Sequence, residues 1–281
     1  YANPDLAKAR RDSVLRSMRE QRYITDKEYE AAINKKVRVK APATSIKAPH
    51  FVFYVKSQLE KQYGIEVVEK GGLTVQTTLD LDIQEESEKI LREELEELDH
   101  LDVGNGAILV TRPPTGEILS MVGSADYFAP GYGAFNVATA LRQPGSSIKP
   151  INYAIGIDRK LVTAASMFLD VRTCFPSPEK PYCPVNYDGT FHGAVPLRLA
   201  LGNSYNIPAV KMLALNGVEN FIASASAFKM TSFKDPSRYG LSLTLGGGEV
   251  RMTEMAQAFS AFANLGKPRE LSSILKVTDR N

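Results

Sequence analysis

The first part of the chain has hydrophobic residues at helical spacing and predicts two short amphipathic helices. The first is predicted to begin at Pro4, where proline is tolerated, with Asn3 as its amino-terminal cap. The second is predicted to open at Thr25, because Thr25 and Glu28 have the spacing of a capping box. Residues 36–49 show no periodicity and contain two prolines, which is typical of a linker.

The next segment predicts a helix, a strand and a second helix. Apolar residues four apart predict a helix over 51–64 that ends at Gly64. Alternation over 73–79 predicts a strand, and either Asp80 or Asp82 can cap the acidic helix that follows. That helix is expected to pack through an apolar stripe of Ile83, Ile90, Leu91, Leu95 and Leu98.

Further along, the pattern predicts a hairpin and then a loop-rich region. Two apolar runs, 107–110 and 117–122, flank Pro-Pro-Thr-Gly, which is typical of a turn between antiparallel strands. After residue 123, glycine and proline become frequent and short helices alternate with loops. Loops held on a folded scaffold often carry chemistry, so a functional site is expected in this region.

The composition is that of a globular protein, and the charge pattern argues against nucleic acid as a partner. Of the 281 residues, 43% are hydrophobic and 23% are charged, which argues against a disordered or fibrous chain. No apolar run approaches the roughly 18–20 residues that span a bilayer. Residues 1–47 hold 12 basic against 6 acidic residues, but their interspersion at helical spacing favours a solvated surface over nucleic-acid binding.

The cysteines and histidines form no pattern typical of a metal site. Cys174 and Cys183 lie nine residues apart in a proline-rich stretch, without the further ligands that structural zinc requires. They can form a local disulfide in an oxidising compartment or stay as free thiols. His50, His100 and His192 are far apart, so neither a metal nor another cofactor is predicted, and His192 is expected to bond a backbone group.

The candidate chemistry centres on Ser146 and Lys149, a Ser-x-x-Lys pair. A serine hydroxyl is a weak nucleophile that needs a base beside it, and residues three apart on a helix share one face. Lysine can serve as that base when burial lowers its pKa. Gly145 allows a tight turn before the serine. The same pattern recurs at residues 226–229 and 273–276, where a structural role is expected.

A second motif, Ser204-Tyr205-Asn206, strengthens the first. It is the only Ser-x-Asn in the sequence, and it lies 58 residues after Ser146 between two predicted helices. The Ser204 hydroxyl could relay a proton and Asn206 could hold a substrate amide, whereas the alternative gives both residues only a capping and turn role. Ser-x-x-Lys with a Ser-Asn element occurs in penicillin-binding proteins and serine β-lactamases.

The wider sequence resembles class A penicillin-binding proteins over nearly its whole length. Four segments resemble their active-serine region and the stretches after it, namely 142–150, 186–193, 203–210 and 245–264. Residues 72–80 resemble their linker strand, and residues 3–29 resemble the end of their glycosyltransferase domain. The resemblance implies an α+β fold of the penicillin-binding and serine β-lactamase type, an antiparallel sheet flanked by helices, preceded by a small helical segment and a linker.

The resemblance also implies domain boundaries and an incomplete domain. Residues 1–36 would be the helical tail of the glycosyltransferase domain, 37–104 a linker region of helix, strand and helix, and 105–281 the transpeptidase domain. Family members carry a Lys-Thr-Gly strand after this region, and no Lys-Thr-Gly or Lys-Ser-Gly occurs here. We therefore expect an internal fragment whose transpeptidase domain lacks its last strands and which is inactive alone.

As a function, the resemblance implies a D,D-transpeptidase that cross-links peptidoglycan stem peptides ending in D-Ala-D-Ala and is acylated by β-lactam antibiotics. Ser146 would be the nucleophile, Lys149 its base, Ser204 a proton relay and Asn206 a substrate-binding residue. The parent protein would be a bifunctional cell-wall synthase on the extracytoplasmic face, held in the membrane by an absent amino-terminal anchor. Its partners would be peptidoglycan strands and cell-wall assembly proteins.

Three alternatives stay open at this point. A β-lactamase would hydrolyse its acyl-enzyme, and a class B penicillin-binding protein would transpeptidate without a glycosyltransferase domain. Both would lack a segment like residues 3–29. The third alternative is a non-catalytic scaffold with a decayed site, which the missing Lys-Thr-Gly leaves open.

Overall fold

The computed structural model describes most of the chain, namely residues 4–35, 46–177 and 180–279. The chain divides into two compact units, Tyr1–Lys47 and Ala48–Asn281. Asn3 and most of the predicted linker at 36–49 lie outside the described residues. The domain boundaries derived from the family resemblance therefore stay predictions.

The first unit contains two helices, α1 (Pro4–Glu20) and α2 (Asp26–Ile33). The Thr25 hydroxyl accepts a hydrogen bond from the Glu28 N–H at 3.3 Å, and the Glu28 carboxylate accepts one from the Thr25 N–H at 2.8 Å. These reciprocal bonds confirm the predicted capping box. The Arg11 guanidinium of α1 donates to a backbone carbonyl at the end of α2 at 3.0 Å, which ties the two helices together.

The second unit opens with four elements: α3 (Pro49–Tyr63), α4 (Ile65–Lys70), β1 (Thr74–Thr77) and α5 (Leu81–Glu97). The predicted helix end at Gly64 is confirmed, since α3 stops there and Gly64 has a positive φ of 85°. The Asp80 side chain caps α5 by accepting from the N–H groups of Asp82 and Ile83, at 3.2 Å each. The predicted strand is confirmed, though it is shorter than the alternation suggested.

The rest of the unit follows in chain order: β2 (Ile108–Arg112), β3 (Glu117–Val122), β4 (Leu141–Arg142), α6 (Lys149–Asp158), β5 (Met167–Asp170), β6 (Gly193–Pro196), α7 (Leu197–Gly202), α8 (Asn206–Asn216), α9 (Val218–Ala227), β7 (Val250–Arg251), α10 (Met252–Ala263) and β8 (Ile274–Thr278). The described strands form antiparallel pairs, β1 with β8, β2 with β3, β4 with β7 and β5 with β6. The predicted hairpin is therefore confirmed.

A short segment before β8 joins two of these pairs. The Ile118 N–H of β3 donates to the Ser272 carbonyl at 2.9 Å, and the Thr78 N–H donates to the Ser273 carbonyl at 3.1 Å. The segment before β8 thus links the hairpin to the β1–β8 pair through backbone hydrogen bonds. The architecture of antiparallel strands and flanking helices confirms the predicted α+β fold class.

The buried face of α5 differs from the predicted apolar stripe. Gln84 is only 1% exposed, whereas Ile90 of the predicted stripe is 43% exposed. The Gln84 side-chain carbonyl accepts hydrogen bonds from the Ser120 hydroxyl at 3.0 Å and the Met121 N–H at 2.9 Å. A polar anchor to β3 therefore sets the rotation of the helix, which hydrophobic periodicity alone does not predict.

Helices α6 and α8 pack together in the core and bring their amino-terminal ends close to each other. Ile151 and Ile155 of α6 share a buried cluster with Leu213 of α8. The buried Asn152 side chain donates to the Ala209 carbonyl at 3.0 Å, which fixes the two helices against each other. As a consequence Lys149, the predicted base and first residue of α6, lies beside Asn206, the first residue of α8.

The connection between β5 and β6 is closed by a disulfide between Cys174 and Cys183. The two alternatives left open by the sequence are thus resolved in favour of the bridge. Phe175 and Tyr182 pair across the loop through two backbone hydrogen bonds of 2.8 Å.

Across the described residues, no helix combines the length and apolar character that crossing a membrane requires.

Candidate active site

Ser146 lies on a 3₁₀ turn, Gly145–Ile148, that leads directly into α6. The sequence predicts serine and lysine on one α-helix, and the structure instead places Lys149 at the first position of α6 with the serine on the preceding turn. A 3₁₀ turn has three residues per turn, so residues three apart still share one side. Gly145 has a φ of +58°, which supplies the tight turn that the sequence predicts.

The Ser146 side chain is exposed and has no hydrogen-bond partner among the described residues. Its turn is supported from behind by Gly246, whose φ is +88°. A Cβ atom on Gly246 would lie 2.3 Å from the Gly145 nitrogen, so only glycine fits there. The serine hydroxyl is thus presented to solvent on a turn that packing holds in place.

Lys149 is 1% exposed, and its amine donates three hydrogen bonds to two other residues. The acceptors are the Ser204 carbonyl at 2.6 Å, the Ser204 hydroxyl at 3.0 Å and the Asn206 side-chain oxygen at 2.6 Å. Burial lowers the pKa of Lys149 to about 8. The structure therefore brings three of the four predicted site residues into direct contact, with Ser146 on the adjoining turn.

Ser204 has a left-handed backbone conformation, with a φ of +55°. It follows α7 in a Schellman arrangement, in which the Ser204 N–H donates to the Leu201 carbonyl at 3.0 Å and the Tyr205 N–H to the Ala200 carbonyl at 2.9 Å. Glycine is the usual residue at such a position. A serine there costs backbone energy, and the conformation turns both of its oxygens toward Lys149.

Asn206 is held by two residues that sequence reasoning did not single out. Its N–H donates to the Asn186 side-chain oxygen at 2.7 Å, and its Nδ2 donates to the Val185 carbonyl at 2.8 Å. These bonds orient the amide so that its oxygen faces Lys149. Asn186 lies in the segment 186–193 of the family resemblance, which was the one available signal.

The expectation for His192 is wrong. Among the described residues its ring contacts side-chain acceptors instead, and its Nδ1 lies 2.7 Å from the buried carboxylate of Asp170. Its Nε2 lies 3.1 Å from a carboxylate oxygen of Asp188. Asp170 carried no motif and belongs to β5, so nothing in the local sequence indicated that it would face this histidine.

The other two Ser-x-x-Lys matches lack this arrangement. Lys229 forms an ion pair with Glu270 at 2.7 Å, which occupies the amine that Ser226 would need. Ser273 is buried and accepts a hydrogen bond from the Gln58 side chain at 2.9 Å, while Lys276 of β8 is exposed. Among the described residues, no three or more His, Cys, Asp or Glu side chains gather as metal ligands would.

Comparison with known proteins agrees with the geometry. The family profile described as the penicillin binding protein transpeptidase domain matches residues 106–280. The chain belongs to the penicillin-binding protein family. This membership confirms the resemblance to class A members and the penicillin-binding transpeptidase fold that the sequence indicated.

Individual members of the family match nearly the whole chain. Penicillin-binding protein 2D of Bacillus subtilis (strain 168) is 32% identical over 287 residues, covering 99% of this chain and 40% of that protein. Penicillin-binding protein 1A from Haemophilus influenzae has a similar structure, with a TM-score of 0.77 and 22% identity, covering 97% of this chain and 54% of that one.

A structure of PonA1 from Mycobacterium tuberculosis in complex with penicillin V also shares the fold. Its TM-score is 0.71 at 18% identity, and the match covers 84% of this chain and 64% of that chain. The chain spans about half of the length of curated relatives that it matches, between 40% and 49% for three of them.

Proposed function

We propose that this chain carries the serine acyl-transfer site of a D,D-transpeptidase that cross-links peptidoglycan. The observation that carries the proposal is the state of Lys149, which is buried, has a lowered pKa and is bonded to Ser204 and Asn206. A lysine that loses its proton near physiological pH is a competent general base. Ser146 stands exposed on the turn that runs into the same helix, where a substrate can reach it.

The first half of the reaction forms an ester on the enzyme. The Ser146 oxygen attacks the carbonyl carbon between the two terminal D-alanines of a stem peptide, and its proton passes to the neutral amine of Lys149. Collapse of the tetrahedral intermediate breaks the carbon–nitrogen bond. The departing D-alanine amine takes the proton from Lys149 through the Ser204 hydroxyl. This hydroxyl lies 3.0 Å from the Lys149 amine.

The second half transfers the acyl group. The amine of a neighbouring stem peptide attacks the ester carbonyl carbon, and the new amide bond forms as the bond between that carbon and the Ser146 oxygen breaks. The proton that the amine gives up returns to the Ser146 oxygen by the same route. Asn206 contributes to substrate binding, because one Nδ2 hydrogen is engaged with the Val185 carbonyl and the second remains for a substrate carbonyl. A β-lactam would acylate Ser146 by the first half of this sequence.

For the whole protein we propose the organisation and setting that the family resemblance implies. The protein would be a bifunctional, membrane-anchored cell-wall synthase on the extracytoplasmic face, with residues 1–36, 37–104 and 105–281 as glycosyltransferase tail, linker and transpeptidase parts. Peptidoglycan strands, stem peptides and cell-wall assembly proteins would be its partners. Since the 281 residues contain no Lys-Thr-Gly, we expect them to need that element for full acylation.

Labelling with a fluorescent penicillin tests the proposal. The full-length protein should take up the label stably, Ser146→Ala should abolish it, and Ser226→Ala should retain it as the matched control. The 281-residue chain alone should label weakly or not at all. Labelling that survives Ser146→Ala would overturn the assignment, and rapid release of the label by hydrolysis would indicate a β-lactamase instead.

A further inference from the structure

Asp170 is a carboxylate in the protein interior with no exposed surface. It accepts hydrogen bonds from the Asn186 Nδ2 at 3.0 and 2.8 Å, from the His192 N–H at 3.0 Å and from the His192 Nδ1 at 2.7 Å. Among the described residues it has no lysine or arginine partner. Burying a carboxylate is costly, so its bonds to Asn186 and His192 must be well made for the loop to hold this shape.

Asn186 connects this carboxylate to the Ser-x-Asn element. It is 3% exposed, and its Nδ2 also donates to the Thr190 carbonyl at 2.9 Å, so its amide cannot rotate without losing bonds. Its oxygen accepts from the Asn206 N–H at 2.7 Å. That N–H is at the first position of α8 and has no partner within the helix, and the preceding Tyr205 provides no side-chain cap. Asn186 therefore caps α8 from a distant loop.

His192 forms a second connection to the same element. Its ring stacks on the Tyr205 ring with a centroid distance of 4.0 Å and an interplanar angle of 14°. Tyr205 is the middle residue of Ser204-Tyr205-Asn206, so the carboxylate supports the motif both through hydrogen bonds and through a ring contact. In the strand register Asp170 lies opposite Gly193, which places the histidine beside it.

We propose that Asp170 is a positioning residue for the proposed acylation: through Asn186 and His192 it holds the Ser-x-Asn element so that Asn206 stays bonded to Lys149. The proposal rests on the proposed function for its effect on rate, but the placement of Asn206 can be measured without any activity. The chain of contacts runs from the buried carboxylate to the Asn186 amide, then to Asn206 and finally to the lysine amine.

The first test compares Asn186→Ala with Asn216→Ala. Both asparagines are buried, at 3% and 1% exposed, and both donate from Nδ2 to buried acceptors. Asn216 donates to Asn152 and, among the described residues, has no hydrogen bond to Asn206 or Lys149. In the full-length protein, the rate of acylation by penicillin should be about tenfold lower in Asn186→Ala than in Asn216→Ala. Equal slowing by the two variants would show a merely structural role and overturn the proposal.

The second test measures the Lys149 amine directly in the full-length protein. The ε-carbon of Lys149 is titrated by ¹³C NMR and assigned with Lys149→Arg. Loss of the Asn206 acceptor removes a bond that favours the ammonium, so Asn186→Ala should lower the pKa of Lys149 by about one unit, whereas Asn216→Ala should leave it unchanged. An unchanged pKa in both variants would contradict the proposal. Absence of acylation in the wild type would count only against the proposed function.

A rescue experiment separates Asp170 from general packing. Asn186→Asp places two carboxylates in contact and should slow acylation, because like charges repel. Adding Asp170→Asn exchanges the two side chains and restores one amide donor facing one carboxylate, while residue 186 still accepts from the Asn206 N–H. The exchanged pair should recover at least about tenfold of the lost rate. A double variant no faster than Asn186→Asp would refute the link.

Discussion

The Lys149 amine donates to both oxygens of Ser204, the backbone carbonyl at 2.6 Å and the hydroxyl at 3.0 Å. Both oxygens reach the lysine because Ser204 adopts a left-handed conformation at the end of α7. The two bonds fix the amine of a buried lysine that directly follows the turn carrying Ser146. A strained backbone position thus helps to set the geometry of the proposed base.

Substitutions of Ser204 should therefore separate its effect on stability from its effect on activity. Ser204→Gly relieves the left-handed strain and Ser204→Ala does not, so the glycine variant should unfold with a free energy about 1 kcal/mol higher than the alanine variant. Both variants lose the hydroxyl and should acylate slowly with a fluorescent penicillin. Chemical denaturation measures the first effect, and a glycine variant less stable than the alanine variant would disprove the strain.

The pH dependence of acylation should report the Lys149 amine. Because burial lowers its pKa from 10.5 to about 8, the neutral base forms as pH rises through about 8 and the acylation rate should rise with it. Lys149→Arg keeps a positive charge at every pH and should abolish acylation. Stopped-flow acylation of the full-length protein measures the profile, and a rate independent of pH would exclude Lys149 as the titrating base.

The same pKa shift affects stability. The unfolded chain binds a proton at Lys149 up to the ordinary value of 10.5, whereas the folded chain releases it at about 8. The contribution of this group therefore destabilises the fold below pH 8 and disappears as pH rises toward 10.5. Relative to Lys149→Met, the wild type should gain stability over that interval, which urea denaturation at several pH values can measure.

Most elements before residue 123 and the Ser-x-x-Lys and Ser-x-Asn motifs are predictable from the sequence, because caps, turns and motifs are local signals. The Thr25 capping box is one such signal, and the structure confirms it. Asp170 and Asn186 are different, since they meet only when β5 and the loop after the disulfide fold together. The prediction of which face of α5 is buried is wrong for a similar reason, because Gln84 bonds to a strand that lies far along the chain.

Gly246 should be required for the shape of the Ser146 turn. Gly246→Ala would place a Cβ atom 2.3 Å from the Gly145 nitrogen, so the turn must move and acylation should fall by more than about tenfold. Gly131→Ala is the matched control, because Gly131 has the same φ of +88° but nothing within 4 Å of the added atom. It should lose only about 1 kcal/mol of stability and keep its acylation rate. Equal rate losses in both variants would rule out the contact.

The disulfide should stabilise the loop that supplies Val185 and Asn186. Replacing Cys174 and Cys183 by serine removes a bridge between residues nine apart in the sequence. This should lower the unfolding free energy by about 2 kcal/mol. Dithiothreitol should produce the same loss in the wild type and no further change in the double serine variant. If the reductant destabilises both proteins alike, the bridge is not the cause.

The identity of the acylated residue is the most direct measure of the proposed function. The full-length protein is incubated with penicillin, digested and analysed by mass spectrometry for the modified peptide. A single penicilloyl group on Ser146, absent from Lys149→Arg and Ser146→Ala, is the expected result. A penicilloyl group on any other serine, with Ser146 unmodified, would contradict the account.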